Sequence, residues 1–202
     1  MRFLVLTLTV LLAACHGNYQ RNIHGNESSP YFFVPIDSTM KLTKPVTIPA
    51  NTEHIFFQDA RLMTIHDVNR YLPYCELQIS VPRARAQRVD PDEFVIFRVY
   101  QMSKFQLASN GIMRVGMKDD DADGEDFQLM ATVMELYSER QPEVQRLLCA
   151  AWGLPQDMSF VTIRMIREQL AGFFQLTLQM GDQPSSNVRI PAQRTRRNVL
   201  GY

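Results

Sequence analysis

An acidic run, "DDDADGEDFQLM" at residues 119–130, is the sharpest chemical signal in the chain. Asp119, Asp121 and Asp123 take the first, third and fifth positions of a D-x-D-x-D-G calcium loop, where carboxylate oxygens suit a hard cation. The twelfth position, which should hold a bidentate Glu, is Met130. We therefore expect no strong metal site here. Two interpretations stay open: a looser calcium loop in a calcium-stabilised adhesion module, or an acidic hairpin tip that keeps two edge strands from aggregating.

Enzyme signatures are scarce elsewhere in the sequence. The chain has no G-x-S-x-G, H-E-x-x-H or C-x-x-C motif and no phosphate-binding glycine loop. His66 and Asp67 could form half of a catalytic pair in an envelope hydrolase, but no nucleophile can be assigned to them. The other interpretation is a loop histidine with a hydrogen-bonding role. We predict no catalytic residues and no cofactor.

The first residues predict an export signal. Residues 3–14 are apolar apart from Thr7 and Thr9, and Arg2 precedes them. This run of 12 residues is shorter than the roughly 20 that span a bilayer. It matches the apolar middle of a secretory signal, which has a positive start and small residues before the cut. A buried N-terminal strand is the alternative.

The end of that run, Leu12-Ala13-Ala14-Cys15, resembles the lipobox of bacterial lipoproteins. The resemblance implies cleavage before Cys15, lipid on the Cys15 sulfur and acylation of the new amino terminus. Two or three acyl chains would anchor the protein stably in a membrane. In the enteric members of this family, Asp after the cysteine favours the inner membrane. Here that residue is His16, so we expect the outer membrane, with the protein facing the periplasm.

Length and charge bound the remaining options. Removing residues 1–14 leaves 188 residues, which suits one domain with a sizeable core. The whole chain has 21 basic and 21 acidic side chains, and the signal removes only Arg2, so 20 against 21 leaves a formal charge of −1. Nothing in this balance indicates nucleic acid as a partner. The predicted parts are a signal peptide (1–14), a flexible tether (15–30), one β-rich domain (31–180) and a basic, disordered tail (181–202).

Strand patterns dominate the domain. In "YCELQISV", Cys75, Leu77, Ile79 and Val81 share one face, which is typical of a half-buried strand. "PEVQRLLCAAWG" fits either a helix or a strand. Further strands are predicted in "YFFVPI", which Pro35 confines to a sheet edge or a strand end, at His54 to Gln58, in "FVIFRVYQMSKFQL", in "IMRVGM" after the turn Asn110-Gly111, in "FQLMATVMELY" and in "FFQLTL".

One short helix is predicted near the C-terminal part of the domain. Ser159 is a suitable N-cap, Ile163, Ile166 and Leu170 recur at helical spacing, and Gly172 is placed to end the helix. Together with the many strands and turns, this pattern predicts a mainly β fold, an antiparallel β-sandwich with one helix.

Three cysteines raise the question of a disulfide. If Cys15 carries lipid, Cys75 and Cys149 remain, in a compartment that permits disulfides. We predict a bridge between them, with alpha carbons about 4.4–6.8 Å apart. Two separately buried thiols are the alternative. A bridge would close a loop of about 75 residues, and the chain-entropy model predicts a stabilisation of roughly 4 kcal/mol for such a loop.

The order of these features also resembles that of uncharacterised lipoproteins of proteobacteria. Strands come first, then Pro73-Tyr74-Cys75, a second cysteine before Trp152, a short helix and a last strand. The resemblance implies a fold and a disulfide, and no activity. We expect a lipid-anchored cell-envelope protein that is a non-enzymatic binding or assembly module, with the membrane and an envelope protein as its partners.

Overall fold

The fold is mainly β with one α-helix in the part of the chain that the structure describes, as the sequence predicts. The computed structural model describes residues 25–106 and 127–179. The helix, α1, is Ile163–Leu170. The strands are β1 (Thr39–Leu42), β2 (Val46–Ile48), β3 (His54–Gln58), β4 (Arg61–Met63), β5 (Tyr74–Ile79), β6 (Gln87–Val89), β7 (Asp92–Gln106), β8 (Phe127–Tyr137), β9 (Val144–Gly153) and β10 (Phe174–Thr177).

Eight of these strands form one antiparallel sheet in the order β10-β1-β7-β8-β9-β5-β3-β4, and β2 pairs with β6 in a second, small sheet. The large sheet curls, because the ring of Phe57 in β3 lies 5.4 Å from that of Phe173 and 5.5 Å from that of Phe174 at the start of β10. Strands from opposite ends of the sheet therefore pack against each other. The predicted antiparallel sandwich takes this curled form.

Helix α1 packs between those ends, against β3, β5 and β10. It buries Ile163, Ile166 and Leu170, the residues whose spacing predicted it. Its N-cap is Thr162, whose hydroxyl oxygen accepts a hydrogen bond from the Met165 amide at 3.2 Å. The predicted cap Ser159 is wrong, because the helix begins only at Ile163 and Thr162 directly precedes it.

The C-terminal end of α1 follows the prediction. Gly172 has φ +77°, a left-handed conformation that only glycine adopts at little cost. The chain can therefore reverse within two residues of Leu170 and enter β10 at Phe174.

A disulfide joins β5 to β9. Cys75 and Cys149 face each other in the register of the two strands and both are fully buried. Residues 144–153, which fit helix or strand in the sequence, form β9 because β8 and β5 flank it with pairing partners. The predicted bridge is confirmed. Its alpha carbons are 4.0 Å apart, closer than the predicted range, because the two residues lie directly opposite each other on neighbouring strands.

The predicted edge strand in "YFFVPI" is wrong. Phe32 and Val34 are buried while Tyr31 and Phe33 are exposed, so the alternation is real. The segment nevertheless pairs with no strand within residues 25–106 and 127–179. Pro35 has no N–H to donate, and Asp37, at φ +64°, turns the chain before β1 begins.

The predicted buried face of β5 extends two residues too far, to Val81. Cys75, Leu77 and Ile79 are buried as expected, but Val81 is 58% exposed. Strand β5 ends at Ile79, and Pro82 after Val81 cannot donate to a continuing ladder.

A buried carboxylate ties the start of β7 to the turn between β8 and β9. The Asp92 side chain, 7% exposed, accepts hydrogen bonds from the Ser138 hydroxyl at 2.6 Å, the Gln141 amide at 3.1 Å and the Glu93 N–H at 2.8 Å, and it pairs with Arg140. Burial acts to raise the pKa of Asp92, but these four donors outweigh it and hold the pKa below its ordinary value.

This pKa predicts a pH dependence of stability. Because the folded state keeps Asp92 ionised to lower pH than the unfolded chain does, its contribution is present above the ordinary aspartate pKa of about 3.9. It is lost as the pH falls through the lower, folded value. We expect Asp92→Asn to lower the free energy of unfolding by about 1–3 kcal/mol at neutral pH and by less below pH 4. Urea unfolding across this range measures both.

The matched control is Asp90→Asn. Asp90 also pairs with an arginine, Arg88, but both side chains are more than 60% exposed, and such pairs contribute about 0–1 kcal/mol. A difference between Asp92→Asn and the parent that does not shrink at low pH would contradict the assignment.

Candidate interaction surface

The edge of the large sheet begins with a tight hairpin between β3 and β4. Gln58 and Arg61 are register partners, so Asp59 and Ala60 form a two-residue turn. Both have positive φ, 50° and 59°, as a type I′ turn requires. Ala60 holds this conformation without being glycine, at a cost of roughly 1 kcal/mol. The Asp59 amide donates to Gln169 Oε1 at 2.8 Å, which ties the turn to α1.

The loop that follows, residues 64–73, is clamped by one buried side chain. Gln58 is 3% exposed. Its amide nitrogen donates to the carbonyls of Asn69 at 2.7 Å and Pro73 at 3.2 Å, and its amide oxygen accepts the Asn69 N–H at 2.9 Å. One side chain thus fixes the middle and the end of the loop.

Other contacts hold the same loop against the sheet. The Arg70 carbonyl accepts the Trp152 N–H at 2.8 Å, at the end of β9. Val68 is buried against the face of the sheet opposite α1, in a cluster with Phe56 and Tyr74. The loop backbone is therefore held by β3, β9 and its own turns.

Four large apolar side chains point away from this fixed backbone. Leu62 is 38% exposed, Ile65 42%, Tyr71 51% and Leu72 50%. We call these four the edge residues, because β4 ends the sheet and, among the described residues, has a strand neighbour on one side only. The Tyr71 ring also lies edge to face with that of Phe127 in β8, with ring centroids 5.4 Å apart. Since the clamped loop cannot turn these four side chains inward, their exposed parts can contact a partner. Exposed apolar groups on a rigid loop beside an unpaired strand edge are typical of a protein-interaction surface.

The sequence gives little sign of this surface. Neither helical nor strand periodicity is present in "RLMTIHDVNRYLP", and from His66 onward the sequence predicts only a loop. Strand β4 is therefore not predicted. Gln58 looks like a solvent-facing residue at a strand end. Its role depends on where residues 69–73 return in space, which no local pattern encodes.

The two predicted hydrolase residues lie in this loop, and the structure does not bring them together. His66 and Asp67 are both exposed. Asp67 Oδ2 accepts the Thr64 hydroxyl at 2.6 Å, and the Asp67 N–H bonds the Thr64 carbonyl at 3.1 Å. The carboxylate therefore closes a local turn and does not orient the imidazole. This geometry gives the hydrolase hypothesis no support.

The remaining site residues fall outside the described ranges. These are the lipidation residue Cys15 and the weak calcium candidates Asp119, Asp121 and Asp123. Within residues 25–106 and 127–179, no group of three or more His, Cys, Asp or Glu side chains is placed to hold a metal ion. Over the same residues, no helix has both the length and the apolar character needed to cross a membrane.

Comparison of the chain with protein-family models, with curated proteins and with solved structures finds no match. The interpretation of the edge residues therefore depends on their exposure and on the contacts that hold the loop.

The clamp predicts a large effect of one substitution. Gln58→Ala removes three hydrogen bonds and leaves partly buried backbone groups without partners, so we expect it to lower the free energy of unfolding by about 2–3 kcal/mol. Hydrogen exchange at the Asn69 amide should accelerate more than exchange in β8. The control is Gln175→Ala in β10, at an exposed position, with an expected effect within about 0.5 kcal/mol. Equal effects of the two substitutions would exclude the clamp.

Proposed function

We propose that this chain is a lipid-anchored, non-enzymatic binding or assembly module of the bacterial cell envelope, held in the outer membrane through Cys15 and facing the periplasm. The anchoring and the location follow from the lipobox-like residues 12–15 and from His16. The binding role is supported by one structural observation, the four edge residues on a clamped loop at the sheet edge.

The physical reason is the cost of leaving these side chains in water. Burying one large apolar side chain contributes about 1.5–3 kcal/mol. A flexible loop would recover part of this by folding the side chains inward. Here Gln58 and the Arg70–Trp152 bond prevent that, so a protein partner can bury them with little loss of loop entropy.

The anchor is tested by substituting the lipidated residue. We expect Cys15→Ser to abolish incorporation of labelled fatty acid and to leave the protein uncut or released in soluble form. His16→Asp should keep the label but move the protein to the inner-membrane fraction, because Asp at this position favours retention there in the enteric lipoproteins that the lipobox resembles. Membrane fractionation that shows Cys15→Ser still processed and membrane-bound would contradict the anchor.

The binding role is tested by photocrosslinking in cells. A photoreactive amino acid in place of Leu62 or Tyr71 should give an adduct of the same mass from both positions, while Gln175, exposed on the opposite sheet edge, should give none. Ile65→Glu should remove the adduct, because it puts a charge into the apolar contact.

Each outcome of this experiment is informative. A shared adduct lost in Ile65→Glu, with the variant's abundance unchanged, supports a partner at the edge residues. Adducts of equal yield from Gln175, or none from Leu62 and Tyr71, would overturn the proposed binding surface.

A further inference from the structure

Away from the edge residues, a pocket of about 340 Å³ opens where β5 ends and β6 begins. This volume lies at the lower end of the range of about 300–1,000 Å³ that is typical of small-molecule sites. Its floor includes Ile79 and Val89, which are 2% and 1% exposed. Its wall carries three arginines, Arg83, Arg85 and Arg88.

The backbone around the pocket is fixed on several sides. The Arg83 carbonyl accepts the Asn51 N–H at 2.7 Å, and the Ser80 N–H donates to the Glu143 carbonyl at 2.8 Å. The side-chain amide nitrogen of Gln87 donates a hydrogen bond to the Val81 carbonyl at 3.1 Å, which closes the segment between β5 and β6 into a loop. The arginines therefore stand on a backbone that is held before any ligand binds.

The charges of the pocket are unbalanced. Its lining has three guanidinium groups and one carboxylate, that of Glu143. Arg88 pairs with Asp90 at 2.6 Å. Within the described part of the chain, no side-chain hydrogen bond or ion pair engages Arg83 or Arg85. Arg83 and Arg85 are both exposed beside the apolar floor, so their guanidinium groups can turn toward a ligand in the pocket.

We propose that this arginine pocket binds the phosphate group of a small phosphorylated molecule or of a lipid headgroup. The planar guanidinium group matches the oxygens of phosphate with two parallel hydrogen bonds, and more than one positive charge suits a group that carries up to two negative charges. The apolar floor favours a ligand in which the phosphate is attached to carbon. This site is separate from the edge residues and does not depend on the proposed partner.

The test is a nuclear magnetic resonance titration of the full-length chain carrying Cys15→Ser, at constant ionic strength. Three probes are used: inorganic phosphate, glycerol 1-phosphate, and a short-chain phosphatidylglycerol below its micelle concentration. We expect saturable shifts at residues 79–89 and at Glu143. Binding of glycerol 1-phosphate identifies a small phosphorylated ligand, and binding of the phosphatidylglycerol alone identifies a lipid headgroup; either result supports the site.

Two variants and a control separate a built site from general attraction. The double variant Arg83→Gln with Arg85→Gln should bind the phosphate probes about tenfold more weakly or worse, since each substitution removes charge-assisted hydrogen bonds. Arg83→Lys with Arg85→Lys keeps both charges but loses the paired hydrogen bonds, so this variant should bind several-fold more weakly than the parent. Arg61→Gln, an exposed arginine in β4 outside the pocket, should bind like the parent.

Three results would overturn the proposal. One is the absence of saturable shifts with all three probes. Another is an equal loss of binding in Arg61→Gln, which would mean that the protein attracts anions without a specific site. The third is undiminished binding by the variant that carries Arg83→Lys and Arg85→Lys.

Discussion

The pairing of Cys75 with Cys149 is the constraint on which the sheet depends. It joins two positions 74 residues apart in the chain and fixes β9 to β5 in one register. Side chains alternate between the faces of a strand, so a slip of one residue would move every core side chain of β9 to the opposite face. With the bridge in place, Leu147 of β9 and Leu77 of β5 must face the same core. For a loop of this size, the chain-entropy model predicts that the bridge stabilises the folded state by roughly 4 kcal/mol.

The same register organises the face of the sheet opposite α1. A row of five polar residues crosses the neighbouring strands β7, β8, β9, β5 and β3, and each residue is the register partner of the next. In that order they are Arg98, Glu135, Arg146, Gln78 and His54. The members of this row interact, since the Arg146 guanidinium donates to Gln78 Oε1 and Arg98 lies 3.6 Å from Glu135. An apolar cluster around Phe56 and Tyr74 occupies another part of that face, under the loop 64–73. One part of the face is therefore suited to water and another to a covering loop.

The fold was largely predictable from the sequence because its core strands carry strong local signals. The alternation in β5 and the helical spacing before Gly172 each reflect a single buried face. Strand β9 was ambiguous because its second face is apolar and covered as well, by the cluster that includes Leu148 and Ala150. The sequence of β9 therefore does not alternate between apolar and polar residues. The candidate surfaces were not predictable in the same way. Gln58 acts through a loop that returns from elsewhere, and the arginines of residues 83–88 form an ordinary polar loop until β6 pairs with β2 and gives them an apolar floor.

Strand β5 sets the distance between the two candidate sites. The clamped loop enters it at Tyr74, and the arginine pocket begins at its last residue, Ile79. Five steps of about 3.4 Å separate these residues by roughly 17 Å. Substitutions that far apart, with no shared partners, are expected to act additively. A protein partner at the edge residues would leave the pocket open, and a phosphate group in the pocket would leave the edge residues open. Both proposed sites rest on the same disulfide-fixed strand, so a protein partner and a phosphorylated ligand, if both bind as proposed, would be held at a constant separation.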